Sequence, residues 1–195
     1  MGLNLHTIHF NEWLYSIEDA ELPQLKSELK SKVDVLPEDD SSPRDKAFPR
    51  VGSYTAYGIF RYCLAYITIG DYEKDLDPDE DYELTALKVF REYLPAGSQD
   101  IPNAIHFIET GDTDTIFLPI PFDKPFEFYE RFVASLPKAT QALEHFASVL
   151  VFDLNSDFEN EYVDDEWEPL GTSRNIARII YQFFKKNPNI CIEFT

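Results

Sequence analysis

The chain is poor in basic residues and in cysteine, and each shortage excludes a class of protein. Its 195 residues contain 17 lysines and arginines against 36 aspartates and glutamates, a formal net charge of −19 at pH 7. Phosphate backbones and anionic lipids are bound by lysine and arginine, so we expect no direct binding to nucleic acid or membranes. The only cysteines, Cys63 and Cys191, exclude a disulfide-dense scaffold and a metal site built from cysteine alone.

Recognisable catalytic and targeting motifs are also missing from the sequence. There is no P-loop, dinucleotide fingerprint, nucleophile elbow or H-E-x-x-H pattern, and the four histidines are scattered. No signal peptide is visible, and the longest apolar helical candidate, residues 54–69, is too short and polar to cross a bilayer. We therefore expect a cytoplasmic protein with buried thiols, no cofactor and no metal, although one disulfide between the cysteines stays open. The oligomeric state is not indicated.

Aromatic residues, in contrast, are abundant. Sixteen Phe, eleven Tyr and two Trp within 44% hydrophobic residues supply a packed core, which a disordered acidic chain would lack. Helical and strand periodicities alternate along the chain without an evident linker. We predict one domain over residues 1–195 of the α+β class, with about five to seven helices packed on a small, mainly antiparallel sheet.

Periodicity and capping residues predict the individual elements. Strands are expected at 3–10 and 190–194, and a hairpin in 104–122 around a turn at 110–115. Pro137 is expected to separate two short helices, 124–136 and 138–148, and residues 34–52 to form a long loop. The remaining predicted helices are 22–33, 53–69, 82–95 and 172–186.

The negative charge is concentrated in two acidic runs. Residues 71–83 carry eight carboxylates against one lysine, and residues 153–168 carry eight against none, so the two runs hold −15 of the −19. The aspartates at alternate positions from Asp75 to Asp81 do not fit a calcium-binding EF-hand loop, because the required glycine and final glutamate are absent. The first run precedes a predicted helix, where carboxylates favour the helix N-terminus. The second has no such explanation and contains bulkier aromatics.

A second candidate site lies on the predicted helix 53–69. Tyr54, Tyr57 and Arg61 are spaced i, i+3 and i+7, so they would share a face that could hold a carboxylate or a planar ligand. The alternative is that the tyrosines pack in the core while Arg61 pairs with an acid. Asp112 and Asp114, in the predicted turn, could add acid–base or metal-binding groups, or serve only as turn residues.

This segment resembles a group of uncharacterised bacterial proteins that carry a G-S-Y-x-x-Y/F-x-x-[FW]-R sequence and a later H-S-D-C-D-G-type turn. Asp112 and Asp114 correspond to the aspartates of that turn, and the resemblance implies no activity. Residues 110, 111, 113 and 115 differ from it. The first motif is matched by Gly52, Ser53, Tyr54, Tyr57, Phe60 and Arg61.

Three functional hypotheses remain. The first is a non-catalytic binding protein, of the inhibitor or immunity type, whose acidic surface recognises a basic protein. The second is a small-molecule or metal-dependent enzyme that uses the tyrosine–arginine face with Asp112 and Asp114. The third is an acidic mimic of nucleic acid. The surface predicted for the first hypothesis consists of Tyr162, Asp164, Asp165, Glu166, Trp167 and Glu168.

Overall fold

The computed structural model describes most of the chain outside the first acidic run and the greater part of the second. Described are residues 2–18, 21–33, 36–38, 49–70, 101–110, 114–128, 131–156 and 169–195. The predicted helix 82–95 therefore lies outside the described residues, as do Asp112 and the predicted surface from Tyr162 to Glu168. Within the described ranges, no helix is long and apolar enough to cross a membrane.

Six strands form one mixed sheet. The strands are β1 (Gly2–Ile8), β2 (Arg50–Ser53), β3 (Thr115–Leu118), β4 (Phe126–Phe128), β5 (Arg131–Ser135) and β6 (Cys191–Phe194). Their order is β2-β1-β6-β3-β5-β4, so the last strand of the chain lies near the middle of the sheet. Only the β3–β5 pair is parallel, and the other four pairs are antiparallel. The predicted α+β class with a mainly antiparallel sheet is confirmed.

Helices cover both faces of this sheet, because the side chains of each strand alternate between two apolar cores. On one face, Leu5, Phe117 and Phe194 pack under four of the helices. On the other, Ile116 and Cys191 pack with residues from the remaining two, such as Trp13. The first layer consists of α3 (Tyr54–Ile69), α4 (Ile105–Ile108), α5 (Leu136–Leu150) and α6 (Pro169–Lys186), and the second of α1 (Phe10–Tyr15) and α2 (Leu22–Lys32).

The elements with strong local signals form as predicted. Ser53 begins α3 by accepting a hydrogen bond from the amide of Ala56 at 3.1 Å, and Gly70 ends it with a φ of 88°. Asn187 follows α6, and its side-chain amide donates to the Phe183 carbonyl at 2.9 Å. The predicted strands at both ends of the chain and the helix beginning at Leu22 are likewise present.

Three predictions in the middle of the chain are wrong. Residues 124–136 form β4 and β5 instead of a helix, and Pro137 lies in the first turn of α5. The predicted hairpin is absent: residues 105–108 are helical, and β3 pairs with β5 and β6. Residues 50–52 of the predicted loop belong to β2, which pairs with β1. The pairs β1–β2 and β3–β6 join segments that are distant in sequence, and local periodicity does not report such pairing.

The C-terminal end of α5 has an unusual backbone. Val151 follows the helix in the left-handed conformation, with φ 55° and ψ 57°. Asn103 and Asp114 are the other described non-glycine residues with positive φ, and those two residue types tolerate it. A side chain with a Cβ costs roughly 1–2 kcal/mol in this region, which is why glycine is favoured there.

Candidate functional site

The face of α3 that carries Tyr54 and Tyr57 is turned towards the core. Tyr57 is fully buried, and its ring centroid lies 5.3 Å from that of Phe194 and 6.0 Å from that of Phe60. Tyr54 is partly buried against the same core. The tyrosine rings therefore contribute packing, as the alternative interpretation of this segment proposed.

Arg61 joins α3 to α4. Its Nε donates to the Phe107 carbonyl at 2.8 Å and its Nη2 to the Ile108 carbonyl at 2.7 Å. The last carbonyls of a helix lack partners within the helix, and a guanidinium can satisfy two of them at once. In these contacts Arg61 holds the backbone immediately before the turn that carries Asp112 and Asp114.

The described part of that turn is exposed. Asp114 lies at the surface, and its carbonyl accepts a hydrogen bond from the Phe132 amide at 3.2 Å as β3 begins. Arg61 and Asp114 are thus placed at the two ends of the segment 107–114. Whether the side chains of the tyrosine–arginine face and the two aspartates form one site stays a prediction, since Asp112 is outside the described residues.

A row of donors on α6 fixes the start of the second acidic run. Arg174, Arg178 and Gln182 are spaced at i, i+4 and i+8, so they line one side of the helix. Arg174 Nη2 donates to the carbonyl of Leu150 at 3.1 Å, Arg178 Nε to that of Asp153 at 2.9 Å, and Gln182 Nε2 to that of Leu154 at 3.1 Å. Their spacing was a visible signal in the sequence that the predictions did not use.

An aromatic ring strengthens the same attachment. The guanidinium carbons of Arg174 and Arg178 lie 5.9 and 5.6 Å from the centroid of Phe152. Phe152 also contacts Phe146 of α5 edge-on, with 6.0 Å between centroids. Arg178 is only 2% exposed, so its interactions with backbone and ring are made largely out of water, where they are strongest.

Helix directions bring the ends of three segments together. Along α6, Ser173 lies beside Cys63 of α3, and Ile176 lies beside Gly52, which precedes α3. The two helices are therefore antiparallel, and the C-terminal end of α3 meets the N-terminal end of α6.

The contact between Leu150 and Arg174 adds the end of α5 to the same region. Gly70 and Pro169, which adjoin the acidic runs, and Val151, which stands two positions before the second run, thus lie at one end of the four-helix layer, here called the junction end.

Charge is divided sharply between the described residues and the rest of the chain. The described ranges contain twelve lysines and arginines and twelve aspartates and glutamates, so their formal charge is zero. The remaining residues contain five against twenty-four, which is the whole net charge of −19. The described ranges are electrically balanced, and the whole net charge belongs to the other residues of the chain.

A polar group lies on the second face of the sheet. His6 of β1 and Glu193 of β6 are directly opposite in register, and His6 Nε2 lies 2.5 Å from Glu193 Oε2. Arg131 Nη1 binds the other carboxylate oxygen at 3.0 Å. The hydrogen bond from His6 holds the pKa of Glu193 below its ordinary value against the opposing effect of burial, and Arg131 adds to the lowering. Sequence reasoning missed this group, because its members meet only through strand pairing.

His106 is the most deeply buried histidine of the described residues. The imidazole is fully buried against Phe122, and its Nδ1 accepts a hydrogen bond from the Ser135 amide at 3.2 Å. The pKa of His106 is lowered from 6.5 to about 4, chiefly by burial; the backbone of Phe122 and the carboxylate of Asp123 oppose the shift, and the charge of Lys138 contributes to it. A neutral imidazole suits this position because protonation of Nδ1 would remove the acceptor for Ser135.

Metal and small-molecule sites have little support in the described ranges. These ranges hold no group of three or more His, Cys, Asp or Glu side chains that could bind a metal ion. An open depression of about 290 Å³ is lined by Pro37, Glu38, Pro119 and Asn189, none of which belongs to a predicted site.

The two cysteines lie in the cores on opposite faces of the sheet and form no disulfide. Burial raises the pKa of the Cys63 thiol well above its ordinary value, so Cys63 is a poor nucleophile.

Replacement of Arg61 tests whether its role is structural. We expect Arg61→Ala to lower the free energy of unfolding by roughly 2 kcal/mol, because two carbonyls lose a charged donor. Arg50→Ala, at an exposed position of β2, is the control with the same loss of charge. The measurement is urea unfolding at neutral pH. If the two variants have the same free energy of unfolding, Arg61 does not stabilise the fold, and it would again be a candidate ligand-binding residue.

Replacement of His106 tests the effect of its burial on acid stability. In the folded protein His106 takes up a proton only at about pH 4, whereas in the unfolded chain the same side chain takes it up near pH 6.5. The free energy of unfolding should therefore fall as the pH falls between these values, by on the order of 3 kcal/mol in total.

We expect His106→Asn, whose amide oxygen can still accept from Ser135, to show a shallower fall in urea unfolding across this window than the wild type. His9→Asn controls for the removal of a histidine elsewhere. Parallel curves for wild type and His106→Asn would contradict the prediction.

A comparison of the chain with protein-family models, with curated proteins and with solved structures finds no match. The resemblance to bacterial proteins around Gly52–Arg61 therefore stays a prediction.

Proposed function

We propose that this chain is a non-catalytic binding protein that recognises a basic protein through its two acidic runs. The observation that carries the proposal is the junction end, where Gly70, Val151 and Pro169 lie on the same end of the helix layer. Gly70 directly precedes the first run, Pro169 directly follows the second, and Val151 stands two positions before the second. Two runs that join the helix layer at the same end add their fields near that end, and they would not do so if they joined it on opposite sides.

The charge division supports the same proposal. An acidic composition that served only solubility would be spread over the whole surface. Here the described residues are balanced, and residues 157–168 alone carry seven carboxylates and no lysine or arginine. Charge of one sign at one place speeds the encounter with an oppositely charged protein and disfavours partners of the wrong charge.

The attachment of the second run also supports recognition. Affinity improves when a binding segment is held before the partner arrives, because less conformational entropy is lost on binding. Arg174, Arg178 and Gln182 fix the chain up to Leu154, and α6 begins at Pro169. Tyr162 and Trp167 lie between these two points in the sequence and could supply the packed aromatic contacts that protein interfaces favour.

A cytoplasmic inhibitor or immunity-type protein is the specific role that these features suit. Such a protein needs fast, strong association with one cationic surface and no chemistry of its own. The nucleic-acid mimic remains an alternative, since it would use the same carboxylates against a nucleic-acid-binding partner. The enzyme hypothesis has gained no observation in its favour, because Tyr57 is buried and Arg61 donates to backbone carbonyls.

Neutralising the second run tests the proposal. Affinity purification of the wild-type chain from its host, with mass spectrometry, should recover a basic protein whose affinity is then measured directly. We expect the fourfold variant Asp164→Asn, Asp165→Asn, Glu166→Gln and Glu168→Gln to bind it at least about tenfold more weakly, as several charge pairs are lost together. The affinity of the wild type should also fall more steeply with rising salt concentration than that of the fourfold variant.

The control has the same total charge and different positions. Glu18, Glu38, Glu109 and Glu127 are exposed carboxylates in the described residues, and their replacement by Gln also changes the net charge from −19 to −15. Binding by this control should stay close to that of the wild type. If both fourfold variants bind equally weakly, binding depends on the total charge of the chain and not on the second acidic run. If both bind as tightly as the wild type, the four carboxylates do not contribute to the interface.

A further inference from the structure

Val151 combines an unfavourable backbone conformation with an exposed apolar side chain. Its φ of 55° lies in the region where glycine or asparagine normally ends a helix, and its branched Cβ is poorly tolerated there. The residue is nevertheless 86% exposed. Val151 therefore makes little contact with the rest of the protein that could compensate for the strain.

The fold requires the backbone conformation at this position and does not require the valine side chain. The amides of Val151 and Phe152 both donate to the Ala147 carbonyl, the second at 3.1 Å, which closes the end of α5. This turn sends Phe152 back beneath Arg174 and Arg178. Glycine at position 151 would form the same turn without strain.

A second exposed apolar residue lies at the same end of the helix layer. Ile69, the last residue of α3, is 56% exposed. Ile69 and Val151 each stand two positions before the first carboxylate of an acidic run, Asp71 and Asp153. The two largest exposed aliphatic side chains of the described residues thus both lie at the junction end.

We propose that the junction end docks a basic protein segment that also carries apolar side chains, with Val151 as its principal apolar contact and Ile69 as a second. This inference rests on the proposed function and adds the chemistry of the partner segment. Charge complementarity selects this occupant, since the neighbouring sequence is strongly acidic. A second copy of the chain would bring another −19 and be repelled.

Two synthetic helical peptides of equal length and equal lysine content provide the probes. One carries leucine on the face opposite the lysines, and the other carries serine there. We expect the wild-type chain to bind the leucine peptide about tenfold more tightly than the serine peptide, since burial of a valine-sized side chain supports a difference of that order. Fluorescence anisotropy at low and physiological salt measures both affinities.

Variants of Val151 separate binding from folding. Val151→Gly and Val151→Asn should lose most of the preference for the leucine peptide and raise Tm by about 2–4 °C, because they relieve the backbone strain. Val151→Ile keeps the apolar side chain and should keep the preference. Tyr15→Ser is the matched control, because Tyr15 is also 86% exposed but belongs to α1 on the other face of the sheet.

The outcomes distinguish the two proposals. If neither peptide binds the wild type, the proposed function fails together with this inference. If both peptides bind the wild type equally, the proposed docking surface is wrong, while the proposed recognition of a basic protein stands. The same conclusion follows if Val151→Asn keeps the preference for the leucine peptide. A lower Tm for Val151→Asn without a peptide preference would mean that the chain itself covers the valine, which also overturns the inference.

Discussion

The position of β6 is the constraint on which the rest of the structure depends. This strand joins β1 to β3 in the sheet, although Ile8 and its partner Cys191 are 183 positions apart in the sequence, so the sheet is complete only when both ends of the chain are paired. Its side chains enter both cores, Phe194 on one face and Cys191 on the other. Because only a short turn follows α6, the strand also places that helix, and α6 in turn holds the start of the second acidic run.

The described elements balance their own charge. Like charges repel one another when a chain becomes compact, so a net charge of −19 spread through the packed elements would oppose folding. The described residues avoid this cost with equal numbers of acidic and basic side chains, several of them paired, as in the contacts of Glu193 with His6 and Arg131. The two cores of the described residues are therefore built from elements without a net charge of their own.

Local signals predicted the ends of the fold, and non-local pairing decided its middle. The helix after Ser53 follows from a capping serine and a regular apolar period, and both were visible in the sequence. Residues 124–136 carry a mixed pattern that fits a helix until β5 is placed between β3 and β4. Prediction of the candidate site from the sequence was limited in the same way. Residue spacing reveals neither the carbonyl partners of Arg61 nor the burial of Tyr57.

The junction end differs from the other candidate sites because one of its residues, Val151, lowers the stability of the fold. Tyr57, Arg61 and His106 are engaged with the core or the backbone, and in each the observed contacts favour the fold itself. Val151 does not stabilise the fold in this way, because its backbone conformation is strained and its side chain is almost entirely exposed. Strain without a compensating contact is expected where a residue serves an interaction that the isolated chain does not make. The strain at Val151 and the acidic runs that join this end of the layer are therefore the two observations that support the proposed docking of a basic partner there.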